Sequence, residues 1–376
     1  MRVGCILLLN LFAVLAHAFS VTDLEAQRRK IGAPGLGAAI VKPQSIEVWT
    51  TGVRKMGNDT KILNTDKFHL GSNTKALTAT LLAQLIEAGS LRWESTLQEI
   101  FPEISIRSEF LNVTVEMLAA HRSGITSDMG AVESGQLWSW MWQNNSTQTL
   151  LPIIAQRHEI AQRLLAFPAQ YKPGTHYLYS NWNYIIIGAV LEKYSSVSWE
   201  ELLQQKIFAP LNMSSCGFGA AGNPALATPD QPWPHVFQNG GFSAVPATSV
   251  LDNPQSLGPA GTVHCSLADW GQFLQAHLDG FQQKNTPILR AASFTKLHTP
   301  YPGQEYTPGG WLSFVMNNRR ALQHTGSNTM NYANVLLFPA YAIGFVATTN
   351  AGDADKAMFE FTKSVIDALI ESVGGL

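Results

Sequence analysis

The sequence predicts an α/β fold, with an antiparallel sheet drawn from both ends of the chain, flanked by helices, and a mainly helical lobe between them. Three observations predict it. Strand-like segments lie before residue 54 and return after residue 309. The stretch between them is dominated by helical periodicity and by loops. The segment from Leu77 to Ala88 is almost apolar all round, the mark of a helix packed on every side.

Taken in order, Met1 to Ala18 has one Arg, an apolar stretch and then Ala16-His17-Ala18. That is the pattern of an export signal cleaved after Ala18. Cys5 lies inside the apolar run, not at its end, so it does not read as a lipid-attachment site. Residues 22–31 read as a helix, and 36–41 and 46–53 as strands joined at Lys42-Pro43-Gln44. The apolar helix stops at Gly89, a plausible cap. Further helices are expected over 114–120, 151–165, 182–194 and 266–279. Residues 216–262 are dense in Gly, Pro and Asn, and so long an irregular stretch often lines a functional site. Strands follow over 310–316, 321–324, 332–338 and 343–348. A helix over 354–372, capped by Asp353, closes the chain. The expected organisation is a signal over 1–18 and one discontinuous domain over 19–376. Within it, 19–70 and 300–376 form the sheet lobe and 71–299 the mainly helical lobe.

Composition excludes several functions. Hydrophobic residues make up 45% of the 376 residues, too many for a disordered chain. The formal net charge of -2, without a basic run of five, gives no electrostatic case for a nucleic-acid partner. No other apolar run is long enough to span a bilayer, so no membrane partner is expected after signal cleavage. The ten histidines are scattered without HExxH, and the cysteines lack clustered histidines, so no metal is expected. No P-loop, dinucleotide fingerprint or G-x-S-x-G elbow occurs, and nothing calls for a cofactor. The oligomeric state is open.

An exported chain meets an oxidising compartment, secreted or periplasmic, which permits a disulfide between Cys216 and Cys265. Two separate buried thiols fit the sequence equally. Glycosylation sequons stand at Asn58, Asn112, Asn144, Asn145 and Asn212, of use on a eukaryotic secretory route.

Three short motifs carry chemistry. Ser72-Asn73-Thr74-Lys75 opens the apolar helix. A spacing of three puts Ser72 and Lys75 on one face, and the helix N-terminus favours developing negative charge. A serine hydroxyl needs a neighbour to take its proton, and a lysine can do so. Tyr177-Leu178-Tyr179-Ser180-Asn181 precedes another helix. Tyr179 can pass a proton between nucleophile and leaving group, while Asn181 can bind a substrate amide and hold Lys75. His324-Thr325-Gly326-Ser327 ends an expected strand. The N–H groups of Ser327 and Ser72 can form an oxyanion hole, and His324 offers a proton or a neutral hydrogen bond. Each motif alone has a plainer reading: a cap with a surface lysine, an aromatic turn, an edge histidine.

Their order and settings together resemble the serine β-lactamase-related family, in its class C β-lactamase, D,D-carboxypeptidase and esterase branch with the penicillin-binding-protein fold. Lys172-Pro173-Gly174-Thr175 before the tyrosine motif, Leu118-Ala119-Ala120-His121-Arg122-Ser123-Gly124 and Pro259-Ala260-Gly261-Thr262 extend the match over roughly 22–370. The resemblance implies a β-lactamase/transpeptidase-like fold and an acyl-enzyme on Ser72. Lys75 and Tyr179 would be catalytic, and Asn181, His324, Thr325 and Ser327 would bind the substrate. His121 to Gly124 would be scaffold. Two departures stand out. His324 replaces the lysine usual in lactamases and peptidoglycan enzymes, as in the family's esterases and D-amino-acid peptidases. Asn183 stands where glycine is frequent.

The leading expectation is a secreted serine hydrolase cleaving an amide or ester of a small molecule or peptide. Small esters or D-amino-acid-containing peptides suit it better than penicillins. An acyltransferase on the same scaffold and a catalytically silent secreted binding or structural protein are the alternatives.

Overall fold

The computed structural model describes residues 18–127, 132–145, 151–248, 251–352 and 357–375. All of the expected export signal but Ala18 lies outside the described residues, as does the expected cap Asp353.

Eleven strands form among the described residues: β1 (Gly35–Lys42), β2 (Ser45–Gly52), β3 (Lys67–His69), β4 (Gly217–Phe218), β5 (His235–Gln238), β6 (Gly241–Ala244), β7 (Val263–Ser266), β8 (Leu312–Met316), β9 (Arg319–Ser327), β10 (Tyr332–Phe338) and β11 (Ile343–Thr349). Six of them make the main antiparallel sheet, in the order β2-β1-β11-β10-β9-β8. The N-terminal hairpin thus joins the C-terminal meander through β1 and β11, with Ala38 opposite Ala347. This is the predicted fold class.

Strand β1 is buried from Gly35 to Val41 because the sheet is covered on both faces. Ala38 and Ile40 face a core with Leu24, Phe361 and Val365 from the helices Val21–Ile31 and Ala357–Ser372. Ala39 and Val41 face the larger core, which runs through helix Leu267–Phe281 into the central helices. The alternation follows from the two-residue period of a strand.

Helix Thr74–Glu87 lies within the larger core and is buried from Thr74 to Ala83. Helix Asn181–Ser195, equally apolar, is buried from Trp182 to Glu192. A second sheet, β3-β7-β4, carries the chain into the serine motif. Cys216 and Cys265 are disulfide-bonded, with Cα atoms 4.1 Å apart, and tie the start of β4 to β7. The irregular stretch also holds a hairpin, β5-β6, closed by Asn239-Gly240. Both turn residues have positive φ (52° and 79°), the turn that matches strand twist.

Candidate active site

The first motif sits where a strand passes over a helix start. A 3-10 turn, Gly71–Asn73, leads into helix Thr74–Glu87, and the end of β9 lies against it. The crossing leaves no room for side chains. A Cβ on Gly71, whose φ is 52°, would lie 2.3 Å from the Ser327 nitrogen, and one on Gly326 would lie 2.7 Å from the Ser72 nitrogen. The backbone N–H groups of Ser72 and Ser327 are therefore brought side by side. Asn73 fastens the turn by donating Nδ2 to the carbonyls of Leu70 (3.0 Å) and Ala333 (3.3 Å).

Lys75 is fully buried. Its Nζ lies 3.0 Å from Ser72 Oγ, and donates to Asn181 Oδ1 at 2.6 Å and to the Ala260 carbonyl at 2.7 Å. The Tyr179 ring centroid is 4.8 Å from Nζ. The first two motifs thus meet on one amine. The Ala260 carbonyl is a partner that residue types do not reveal, because any residue carries one. Its segment is anchored by Arg157, which is buried and donates to the carbonyls of Ser256 and Gln255 while pairing with Glu192 and Glu200.

His324 closes the other end. Its Nδ1 lies 2.6 Å from the Thr325 carbonyl and its Nε2 3.1 Å from the Tyr306 hydroxyl. That arrangement suits a neutral ring with the proton on Nδ1 and Nε2 accepting from Tyr306. Burial first, and then the charge of Lys75, push its pKa down to about 3. His324 is therefore a neutral ring near pH 7, with both nitrogens bonded within the protein. The strand continues past it, as Thr325, Gly326 and Ser327 pair with Asn334, Ala333 and Tyr332 of β10. Ser327 Oγ accepts the Thr329 N–H at 2.8 Å.

His121 underlies both ends. Its ring lies tilted against Tyr179, with centroids 4.4 Å apart, and contacts Tyr306 at 4.9 Å. Its Nδ1 accepts from the Ser180 N–H at 3.2 Å and lies 3.1 Å from Asn183 Nδ2. Burial first, with Lys75 and His324 adding to it, holds it well below the usual histidine range. Asn183 completes the bracket by accepting from Ser123 Oγ at 2.6 Å. The departure from glycine at 183 thus has a physical role: the amide fastens the His121–Ser123 turn under the tyrosine motif. Tyr306 carried no signal in the sequence, since a lone tyrosine in a loop has no spacing to mark it.

Over these groups opens a cleft of about 480 Å³. Ser72, Tyr179, His324, Thr325 and Ser327 all line it, with Tyr177, Tyr306, Leu312, Tyr332 and Phe359, and none of these lining side chains is a fixed cation. Asn181 points instead into the Lys75 amine. The described residues contain no cluster able to hold a metal ion.

Of the sequon asparagines, Asn112 and Asn212 are exposed. Asn58 Oδ1 accepts from its own Thr60, and Asn145 Oδ1 accepts from the Gln255 N–H. Asn144 donates its amide to the Trp140 carbonyl.

The model of the beta-lactamase family matches residues 21–365. Among curated proteins, the chain is 23% identical to penicillin-binding protein 4 of Amycolatopsis lactamdurans, over 94% of this chain and 90% of that one. It is 25% identical to the unguisins hydrolase of Aspergillus violaceofuscus over 85% of this chain, and spans 58% of that relative's length. Among solved structures, the octameric penicillin-binding protein homologue of Pyrococcus abyssi superposes with a TM-score of 0.74 at 22% identity, covering 95% of this chain and 78% of the other.

Proposed function

The chain belongs to the beta-lactamase family, and on that premise we propose that it is a serine hydrolase that cleaves an amide or ester through an acyl-enzyme on Ser72. The observation that carries the reading is the Lys75 amine, buried and 3.0 Å from Ser72 Oγ. Asn181 Oδ1 and the Ala260 carbonyl can only accept, so they fix two of the amine's directions. The third faces the serine hydroxyl.

In this reading Ser72 Oγ attacks the substrate carbonyl carbon as its proton passes to the Lys75–Tyr179 pair. The carbonyl oxygen gains negative charge between the N–H groups of Ser72 and Ser327. The C–N or C–O bond breaks, and the pair returns the proton to the leaving group. Water then adds to the ester, giving its proton to the same pair. Collapse of this second intermediate regenerates the Ser72 hydroxyl and frees the acid. Thr325 hydrogen-bonds the substrate from the β9 side, and the neutral His324 ring, its nitrogens taken by the Thr325 carbonyl and the Tyr306 hydroxyl, forms the wall beside it. The neutral His324 and the tyrosine-rich cleft favour an uncharged ester or a D-amino-acid-containing peptide over a penicillin, whose carboxylate would look for a fixed cation.

The disulfide between Cys216 and Cys265 supports an oxidising, secreted location for the chain. Exposure favours Asn112 and Asn212 as glycan acceptors on a eukaryotic route.

The test is covalent labelling. The purified protein and Ser72→Ala are incubated with activated esters, a fluorophosphonate, a penicillin and a cephalosporin, and intact mass is read. An adduct on the wild type and none on Ser72→Ala is expected. A folded wild type that reacts with no probe would end the nucleophile reading in favour of a silent binding protein. Added amines or alcohols separate hydrolysis, which yields free acid, from acyl transfer, which yields a new amide or ester.

A further inference from the structure

The expected anion hole is made by two N–H groups from distant parts of the chain, and the neighbours of both reach one buried carboxylate. Gly71, next to Ser72, donates its N–H to His69 Nδ1 at 3.1 Å. Nδ1 can accept only if the ring proton sits on Nε2. Nε2 lies 3.2 Å from Asp252 Oδ2, a close polar contact rather than a linear hydrogen bond. Asn328, next to Ser327, donates Nδ2 to Asp252 Oδ1 at 2.8 Å. Its own Oδ1 accepts the N–H groups of Met330 (3.2 Å) and Asn331 (2.9 Å), closing the turn that follows Ser327. Asp252, His69 and Asn328 are all buried.

We propose that Asp252 is a positioning residue that holds the two halves of the anion hole in register, one through His69 and Gly71, the other through Asn328. The inference rests on the acyl-enzyme reading for its catalytic consequence, although the clamp is a matter of geometry alone. Such a device has a use here. Neither N–H is held by a shared helix or hairpin, because one belongs to the turn after β3 and the other to the end of β9. A misplacement of about 1 Å at a reacting centre can cost on the order of 100-fold in rate. Asp252 does not face the cleft, so it acts only through its partners.

The tautomer supplies a selective test. In Asp252→Asn the amide oxygen can still accept from Asn328, but its NH2 group would face the Nε2–H of His69. The ring must then carry its proton on Nδ1, where it opposes the Gly71 N–H. In His69→Asn the short amide can place its oxygen where Nδ1 stood, and needs no carboxylate behind it.

Acylation by an activated ester and by its thionoester twin is measured for the wild type, Asp252→Asn, and the double variant His69→Asn/Asp252→Asn. Sulfur accepts hydrogen bonds poorly, so the ester-to-thionoester rate ratio reports the hole itself. Asp252→Asn is expected to lower ester acylation about 10- to 100-fold and to shrink the ratio, with non-covalent affinity unchanged. The double variant is expected to recover most of both. Hydrogen exchange gives a readout independent of activity: the segments 70–73 and 327–331 should both exchange faster in Asp252→Asn. A variant with a lower melting temperature but an unchanged ratio and unchanged exchange in both segments overturns the proposal and leaves a plain buried polar contact. If the wild type itself fails to acylate, the acyl-enzyme reading falls. The exchange data then decide the clamp alone, faster exchange in both segments sustaining it and in neither refuting it.

Discussion

The two ends of the cleft each bury a titratable side chain, and they solvate it in opposite ways. Lys75 Nζ meets a hydroxyl and two oxygens that can only accept. His324 meets one carbonyl and one tyrosine hydroxyl that can donate. Both are removed from water, and for His324 burial is the main force toward the neutral ring. The partners complement each head: three oxygens converge on the nitrogen of the amine, whereas a donor and an acceptor on opposite sides satisfy a neutral imidazole. The cleft therefore has a buried amine at one end and a neutral imidazole at the other.

The sharpest way to break this contrast is at the amine. Lys75→Ala should cut the acylation rate by about 10²- to 10⁴-fold, the range expected when a proton-transfer group is lost. Stopped-flow acylation by an activated ester reads it. A loss under tenfold would remove Lys75 from proton transfer. At the other end, His324→Lys should convert a neutral corner into a cationic one. The preference for a free-carboxylate substrate over its methyl ester should rise by roughly tenfold, read as the ratio of kcat/KM values. An unchanged ratio would mean that the substrate's charged group does not lie at β9.

The third prediction sharpens the contrast through pH. His324 and His298 are pushed down to about 3, mainly by burial. His235 and His264 are pushed down to about 4 by burial as the main cause. Ordinary histidine titrates near 6.5, so between these values the unfolded chain binds more protons than the folded one. Stability should be complete above about pH 6.5 and fall as the pH drops towards 4, by up to ~1.4 kcal/mol per pH unit for each histidine. Denaturant unfolding at pH 7.5, 6 and 5 reads it, and a midpoint that does not move would mean that these rings titrate normally. His324 should meanwhile add no inflection to the acylation rate between pH 5 and 8.

The parts of this molecule that could be read from sequence are those with a period. The terminal strands alternate or run continuously apolar, and the helix after Ser72 is apolar all round, so their kinds follow directly. Strand β9 runs to Ser327 rather than stopping at His324, because its last residues gain partners on β10 that no local signal announces. Strands β3, β4 and β7 have 3, 2 and 4 residues, too few for alternation to show. The β5-β6 hairpin did leave a signal, Asn239-Gly240, inside a stretch read only as loop. The side chains that meet at the amine belong to motifs. Their supports do not: Ala260 acts through its carbonyl, Tyr306 and Asp252 stand alone in loops, and the Asn183 amide works through a turn some sixty residues away. Motif spacing shows which residues share a turn of chain, and it is silent on groups that converge from distant turns.

The pairing of β1 with β11 has a consequence during synthesis. The serine turn emerges from the ribosome early, but the strand that supplies its second N–H is translated long after it. Ala38 must likewise wait for Ala347. Contacts of such high sequence separation slow folding, and they leave the early hairpin with one edge open until the last strands arrive. A truncated chain would hold Ser72, Lys75 and Tyr179 yet lack the strand that crosses the serine turn, so translation that stops early leaves the cleft without its β9 wall.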